Sequence, residues 1–300
     1  MIKNKKAAIK FVISTDTLKL LRIPFSFYLM PVFMFALSQC QSINFFAALL
    51  VFLILHVFIY PASNGYNSYM DQDETSIGGL ENPPKPTKEL FYASLAFDII
   101  GLCLALLVNK TFFIAILIYT LVSRAYSFKG IRLKKYPILG FFTVILFQGA
   151  FTFWMVQTGA NLAPFEFNNQ NLLALFGSSF LIAGVYPLTQ IYQHEADVKS
   201  GDFTISYRLG IRGTFYFTAF MFMLANVCLY FYFNELGKTQ HFLVFQLFLL
   251  PVVIYFATWF FKVLKDAKEA SFKNTMNMNL IAALCMNFCF FTLICINQNL

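Results

Sequence analysis

Apolar runs close to 20 residues long alternate with short polar stretches from residue 22 to residue 296. A helix needs about 20 mainly apolar residues to cross a hydrocarbon layer. That ruler predicts nine spans, at about 22–40, 43–63, 91–108, 111–128, 138–157, 171–190, 213–233, 241–261 and 276–296. Pro31, Gly184, Pro187 and Pro251 fall inside these runs, which a helix bundle tolerates because neighbouring groups satisfy the freed backbone. No repeat and no long linker interrupts the pattern. The expectation is one all-α polytopic membrane domain over 1–300, with nine transmembrane helices around a central cavity and a short cytoplasmic segment, 1–20, before them.

Composition agrees. Hydrophobic residues make up 59% of the 300 and charged residues 12%, whereas a soluble domain carries about a quarter charged. The 40 Phe and 15 Tyr suit lipid-facing surfaces and interfacial belts. Lys and Arg then set the orientation. With the N-terminus inside, 20 of the 22 fall on the cytoplasmic side, and only Lys110 and Lys238 lie outside. The predicted topology is N-in and C-out in the cell (inner) membrane, with the cavity open to the cytoplasm. The net charge of +8 is therefore an orientation bias rather than a nucleic-acid footprint. MIKNKKAAIKF is basic, but no small-residue cleavage site follows a short apolar core, so no cleaved leader is expected. The six Cys lack zinc or redox spacing, and Cys285 and Cys289, one helical turn apart, read as packing residues.

Polar residues gather in three places on the predicted cytoplasmic side. NSYMDQDETSIGGLENPP (67–84), holding Asp71, Asp73, Glu74 and Glu81, follows the second span. RAYSFKGIRLKKYP (124–137) follows the fourth, and QIYQHEADVKSGDFTISYRLG (190–210) the sixth. If the second span continues as a helix, Asn64, Asn67, Asp71 and Thr75 share one stripe, and Gln190, Gln193 and Asp197 do so if the sixth continues. Two helix ends would then aim carboxylate and amide oxygens at each other. That donor set suits Mg²⁺, which keeps several waters and is often shared with phosphate oxygens. The cations of IRLKK, with Arg22, supply charge for a diphosphate. An ordinary solvated loop accounts for any one of these residues alone, but gives no reason for the stripe to occur twice.

These residues resemble the UbiA superfamily of intramembrane prenyltransferases over the whole chain. The family's N-x-x-x-D-x-x-x-D motif is similar to the run from Asn67 through Asp71, with ENPPKP after it. Thr75 stands in the last Asp position, with Asp73 and Glu74 nearby. The second motif, D-x-x-x-D followed by Gly and Thr, is similar to QHEADVKSGDFTISYRLG at Asp197, Gly201, Thr204 and Gly210, with Gln193 in the first Asp position. YSFKGIRLKK and LRIPFSFYLMPV are similar to the family's Y-S…R-L-K stretch and R-x-P opening. The resemblance implies Mg²⁺ as cofactor and transfer of a polyprenyl group from a prenyl diphosphate to an aromatic, quinone-precursor or pigment-precursor acceptor. It implies Asn67, Asp71, Asp73, Gln193 and Asp197 around the metal, with Asp71 and Asp197 catalytic. On the diphosphate it implies Arg22, Asn67, Tyr126, Arg132 and Lys134.

Other polar residues are weighed separately. Asp98, inside the third span, either reaches the cavity or packs as a hydrogen-bonded group, since a carboxylate in a membrane is costly. His56 reads as an interior residue and His194 as facing the loop. Tyr126 and Ser127 are candidates for contact with acceptor or phosphate. A secondary transporter and a binding-only relative of the transferases remain as alternatives; polar groups crowded at one face rather than the midplane favour the enzyme. The acceptor, the prenyl chain length and the oligomeric state are not legible in the sequence.

Overall fold

The computed structural model describes residues 13–298. The expected cytoplasmic cations Lys3, Lys5, Lys6 and Lys10 lie outside the described residues. Those residues are helical with connecting turns, and contain two isolated bridges, Ile43 with Asn161 and Ile77 with Leu80, in place of any sheet.

The chain opens with α1 (Thr15–Leu21), capped by the Ser14 hydroxyl. Ser14 also gives Glu89 two hydrogen bonds of 2.7 Å, one from its amide and one from its hydroxyl, which tie α1 to the start of α4. Arg22 then adopts a left-handed conformation (φ 50°), and a 3₁₀ turn, Ile23–Tyr28, leads into α2 (Met30–Ser38) at a bend of 41°. The helices that follow are α3 (Phe45–Asp71), α4 (Lys88–Ala105), α5 (Lys110–Ser127), α6 (Pro137–Ala160) and α7 (Asn169–Leu188). A short α8 (His194–Ser200) precedes α9 (Ile205–Glu235), α10 (Thr239–Lys265) and α11 (Phe272–Gln298). Asn44, Asn109 and Asn168 accept a hydrogen bond from the amide three residues on and so start α3, α5 and α7, as N-cap side chains do. Asn44 N donates to Ala160 O and Asn109 Nδ2 to Thr158 O, both at the end of α6, and α7 follows that end directly, so these three helices begin at one end of the molecule and finish at the other.

Two helices widen into π turns. In α3 the turn spans Ile54–Ile59 and ends two residues before Pro61; proline has no amide to donate and its ring crowds the carbonyl four residues back. In α6 it spans Leu146–Phe151, where Ser179 of α7 accepts from the Ala150 amide at 3.1 Å. Such turns change which side chains face inward over a short stretch.

The core is aromatic. Phe215 stacks on Phe260 at 4.9 Å and meets Trp259 edge-on at 4.8 Å, while Phe35 packs between Phe153 and Phe290. Large apolar side chains also cover the outside, Phe46, Leu107 and Leu247 among them, which is the surface lipid requires. The protein is an integral membrane protein.

Six helices are long and apolar enough to cross a membrane: α3, α6, α7, α9, α10 and α11. The bent α1–α2 pair makes a seventh if it is one span. That is fewer than the nine spans expected. The difference lies in α4 and α5, each 18 residues long and each carrying a charge inside, Asp98 and Arg124. These two charges meet: Arg124 Nε donates to Asp98 Oδ2 at 2.8 Å, and its guanidinium lies 4.0 Å from the centre of the Tyr66 ring. Asp98 thus packs against Arg124 and does not line the cavity described below.

Candidate functional site

One cavity of about 340 Å³ opens at the end where α3, α5 and α7 finish. Its mouth is polar and its interior apolar. Every residue that the resemblance assigns to metal or phosphate lines it, Arg22, Asn67, Asp71, Asp73, Tyr126, Arg132, Lys134, Gln193 and Asp197, whereas Thr75 of the expected stripe and Lys135 of IRLKK do not.

The two proposed stripes form differently from expectation. α3 ends at Asp71 because Gln72 turns left-handed (φ 56°) and its amide bonds back to Ser68 O. Thr75 is therefore off the helix and is not on a stripe with Asn64, Asn67 and Asp71. On the other side α7 stops at Leu188, and turns separate it from α8. Gln190, Gln193 and Asp197 reach the cavity from a turn, the residue before α8 and α8 itself, rather than from one continuous helix.

The acidic loop after α3 is anchored by Ile77, which is buried with Leu20, Leu21 and Leu90. Arg22 holds the same loop from beneath, donating to Gly78 O at 3.0 Å and to Asn64 O at 3.2 Å. Much of its guanidinium is thus engaged with backbone carbonyls, although its Nε has no partner. Gln193 joins the two acidic segments by donating to Ser76 O at 2.9 Å. Asn67 Oδ1 accepts from Ser127 at 2.7 Å, and the Tyr126 and Tyr186 hydroxyls meet at 2.6 Å.

At the centre is a residue the sequence reading missed, Asp202. Arg132 grips it with two hydrogen bonds, Nε to Oδ1 at 2.8 Å and Nη2 to Oδ2 at 2.9 Å. Lys134 bonds Asp71 Oδ2 and lies 3.2 Å from Asp202 Oδ2. The local signal was Gly201. It closes α8 in the left-handed region (φ 75°), with Gly201 N bonded to Val198 O and Asp202 N to Asp197 O. That paired arrangement is a common helix stop, and it folds the next side chain back toward the helix end.

Charge at the mouth is unevenly neutralised. Burial opposes ionisation of Asp202, but its bonds from Arg132, helped by Lys134, outweigh it and hold its carboxyl below the usual range. Burial pushes Asp197 up to about 7, with Asp202, Asp73 and Asp71 adding to it against Lys134. Burial, reinforced by Asp71, pushes Asp73 up to about 6. Two acids are thus short of positive charge. Asp71 Oδ1 is also buried without a hydrogen bond, 3.6 Å from Arg132 Nη2.

These oxygens are the right kind for Mg²⁺. Among the described residues, however, no three Asp, Glu, His or Cys side chains stand close enough to hold a metal by themselves. Arg132 and Lys134 sit between Asp71 and Asp202 instead. A carboxylate oxygen without a hydrogen bond beside two under-neutralised acids fits a cation entering this mouth, with amide oxygens and water completing its shell.

His56 is an interior group, its Nδ1 3.2 Å from Ser26 O and its ring against Phe33, Phe52 and Tyr60. His194 does not point to the open loop; its Nε2 meets Ser206 Oγ of α9 at 2.8 Å.

An all-α membrane fold thus carries an acid-and-cation mouth above an apolar cavity. The sequence profile of the UbiA prenyltransferase family matches residues 28–281, and the chain belongs to that family. In fold it is similar to a UbiA homologue from Archaeoglobus fulgidus solved with GPP and Mg²⁺, at 20% identity and a TM-score of 0.69 over 93% of this chain and 99% of that one. It is similar to the homologue from that organism bound to DMAPP and Mg²⁺ at 17% identity and 0.64, with the same coverage. A structure from a study of digeranylgeranylglyceryl phosphate synthase in membranes matches at 20% identity and 0.60, over 95% of this chain and 98% of that one. No curated protein matches the chain in sequence.

Proposed function

We propose that the protein transfers a prenyl group from a prenyl diphosphate to an aromatic, quinone-precursor or pigment-precursor acceptor inside the membrane, with Mg²⁺. The observation that carries this reading is the continuity of one cavity, acidic and basic at the mouth and apolar within. A prenyl tail fits the interior while its diphosphate stays at the mouth.

In this reading nine helices cross the membrane, α4 and α5 included, since their interior charges neutralise each other. The N-terminus and the cavity mouth are cytoplasmic, as the distribution of Lys and Arg supports.

Asn67, Asp71, Asp73, Gln193 and Asp197 would hold the metal, which when bound supplies Lewis-acid stabilisation of charge on the departing diphosphate. Arg132 and Lys134 bind phosphate oxygens alongside it, with Asp202 fixing the Arg132 guanidinium in place. Arg22, directly or through the loop it holds, and Tyr126 complete the diphosphate site. Preorganised charge of this kind is usually the largest catalytic contribution. The apolar walls keep water from the allylic cation, and aromatic faces such as those of Tyr119 and Phe147, 6.3 Å apart, favour positive charge.

A relative that binds isoprenoid diphosphates without turning them over is the second reading. It is favoured by Gln193 in a position the motif gives to Asp and by the lack, among the described residues, of three acids close enough to hold a metal. Diphosphate release decides between them, measured on purified protein in lipid with geranylgeranyl or farnesyl diphosphate, a panel of aromatic acceptors, and Mg²⁺ or EDTA. Transfer predicts metal-dependent release that Asp71→Ala and Asp197→Ala both abolish. Binding without release under any acceptor supports the second reading, and no binding at all overturns both.

A further inference from the structure

Six of the buried polar atoms that lack a hydrogen-bond partner belong to residues lining the cavity: Arg22 Nε, Asn64 Nδ2, Asp71 Oδ1, Gln190 Oε1, Tyr192 Oη and Asn279 Oδ1. Five belong to the polar mouth. Asn279 does not. It sits on α11, whose start is placed at the level of the mouth by the contact of Phe272 with Tyr192, ring centres 5.3 Å apart. Seven residues further on, Asn279 is about 10 Å deeper.

The face of α11 that lines the cavity is Asn279, Ala282, Ala283 and Met286, the spacing of one helical stripe. Ala282 and Ala283 are the small members of that stripe, and Leu29, Val32, Leu249 and Val252 line the apolar walls of the same cavity. Asn279 is 4% exposed. An unpaired amide in such surroundings costs free energy unless something bonds to it. A prenyl tail has nothing to offer. The cations that line the cavity are Arg22, Arg132 and Lys134, and all are bound at the mouth. A carboxylate brought to Asn279 would therefore find no counter-charge.

We propose that Asn279 marks the subsite for the acceptor's head and selects a neutral oxygen, a phenol, quinol or quinone carbonyl, over a carboxylate. A carboxamide bonds either form, accepting from a hydroxyl or donating to a carbonyl. The π turn of α6 brings a second carboxamide, Gln148, to the cavity wall, in keeping with an acceptor that carries more than one oxygen. This assignment rests on the transferase reading and names the acceptor class for it.

The test uses the full chain in lipid nanodiscs with geranyl diphosphate, Mg²⁺ and three probes: hydroquinone, its dimethyl ether and a hydroxybenzoate. Acceptor KM, geranyl diphosphate KM and geranyl diphosphate binding are measured for wild type, Asn279→Leu and the smaller Asn279→Ala, which serves if the first variant no longer binds geranyl diphosphate. Wild type is expected to favour hydroquinone over its ether by about tenfold in acceptor KM, the worth of one neutral hydrogen bond, and to disfavour the carboxylated probe. The variants should lose the preference for hydroxyl while geranyl diphosphate KM stays unchanged. Variants that keep the preference, that shift geranyl diphosphate KM instead, or a wild type that prefers the carboxylated probe, overturn this subsite and leave the transferase reading standing. A wild type that neither binds nor cleaves geranyl diphosphate overturns both.

Discussion

Arg132 and Asp202 face each other fork to fork, with parallel hydrogen bonds of 2.8 and 2.9 Å across 70 residues of sequence. Planar pairing of this kind fixes direction as well as charge. It aims the remaining guanidinium edge at Asp71 and the cavity mouth.

Replacing Asp202 by Asn should therefore leave Arg132 charged but unaimed. The expected result is a rise of about tenfold or more in prenyl diphosphate KM, with a stability loss of about 1–3 kcal/mol. Kinetics in lipid and the thermal midpoint in detergent read the two effects separately. Unchanged KM would make the pair a structural strut only.

The acids without enough countercharge predict a pH dependence. Asp197 and Asp73 are pushed up to about 7 and about 6, so the metal-free protein keeps their protons to higher pH than the unfolded chain does. Folding is then favoured as pH falls below about 7, and that contribution is lost as pH rises through these values. Metal binding has the opposite sign, because it needs the carboxylates ionised. Apparent Mg²⁺ affinity should be weaker at pH 6 than at pH 8 by about tenfold, and a flat titration over that range would contradict the assignment.

Gln193 supplies an amide where a carboxylate would bring charge. Gln193→Asp should tighten Mg²⁺, by about tenfold in the concentration giving half-maximal release, while loosening the loop that Gln193 ties through Ser76 O. Activity titrated with Mg²⁺ reads the first effect. A weaker metal response in this variant would mean that the tie matters more than the charge.

Gly149 lies in the π turn of α6, and a Cβ there would stand 2.5 Å from Ser179 Cα, a backbone atom that cannot swing away. Gly149→Ala should separate α6 from α7 and cost about 1–3 kcal/mol, visible as a lower thermal midpoint. A midpoint equal to wild type would mean that the two helices adjust freely at this crossing.

Asp98 and Arg124 depend on each other. Either Asp98→Ala or Arg124→Leu alone strands a buried charge and should cost about 3 kcal/mol, whereas the double variant should cost less than the two single variants together. A double-mutant cycle on thermal midpoints measures the difference, and simple additivity would deny the pair.

Much of the architecture is legible in the sequence. The apolar runs located most of the helices to within a few residues, because hydrocarbon thickness sets their length; α3 runs past its expected end to Asp71, and the first expected span is broken by a 3₁₀ turn. Arg22, Asp71, Asp73, Arg132, Lys134 and Asp197 all line one mouth, while Lys135 does not. The misreadings came from helix ends. Gln72 and Gly201 adopt left-handed backbone, and these two turns removed Thr75 from the expected stripe and brought Asp202 into the site. A stripe extrapolated past a helix end has no physical support, because the periodicity stops with the hydrogen bonds.

The sequence alone determined that the chain belongs in a membrane and which end of the bundle gathers its charge, since both follow from solvation energies that each residue carries wherever it sits. Tertiary structure decided which charges pair. Gly201 turns Asp202 back toward the helix end, but nothing local says that Arg132 meets it there, and nothing local distinguishes Asn279 from the other amides. Their roles arise where separate helices meet, and the energy of a hydrogen bond depends on its partner, which for Asp202 is 70 residues away.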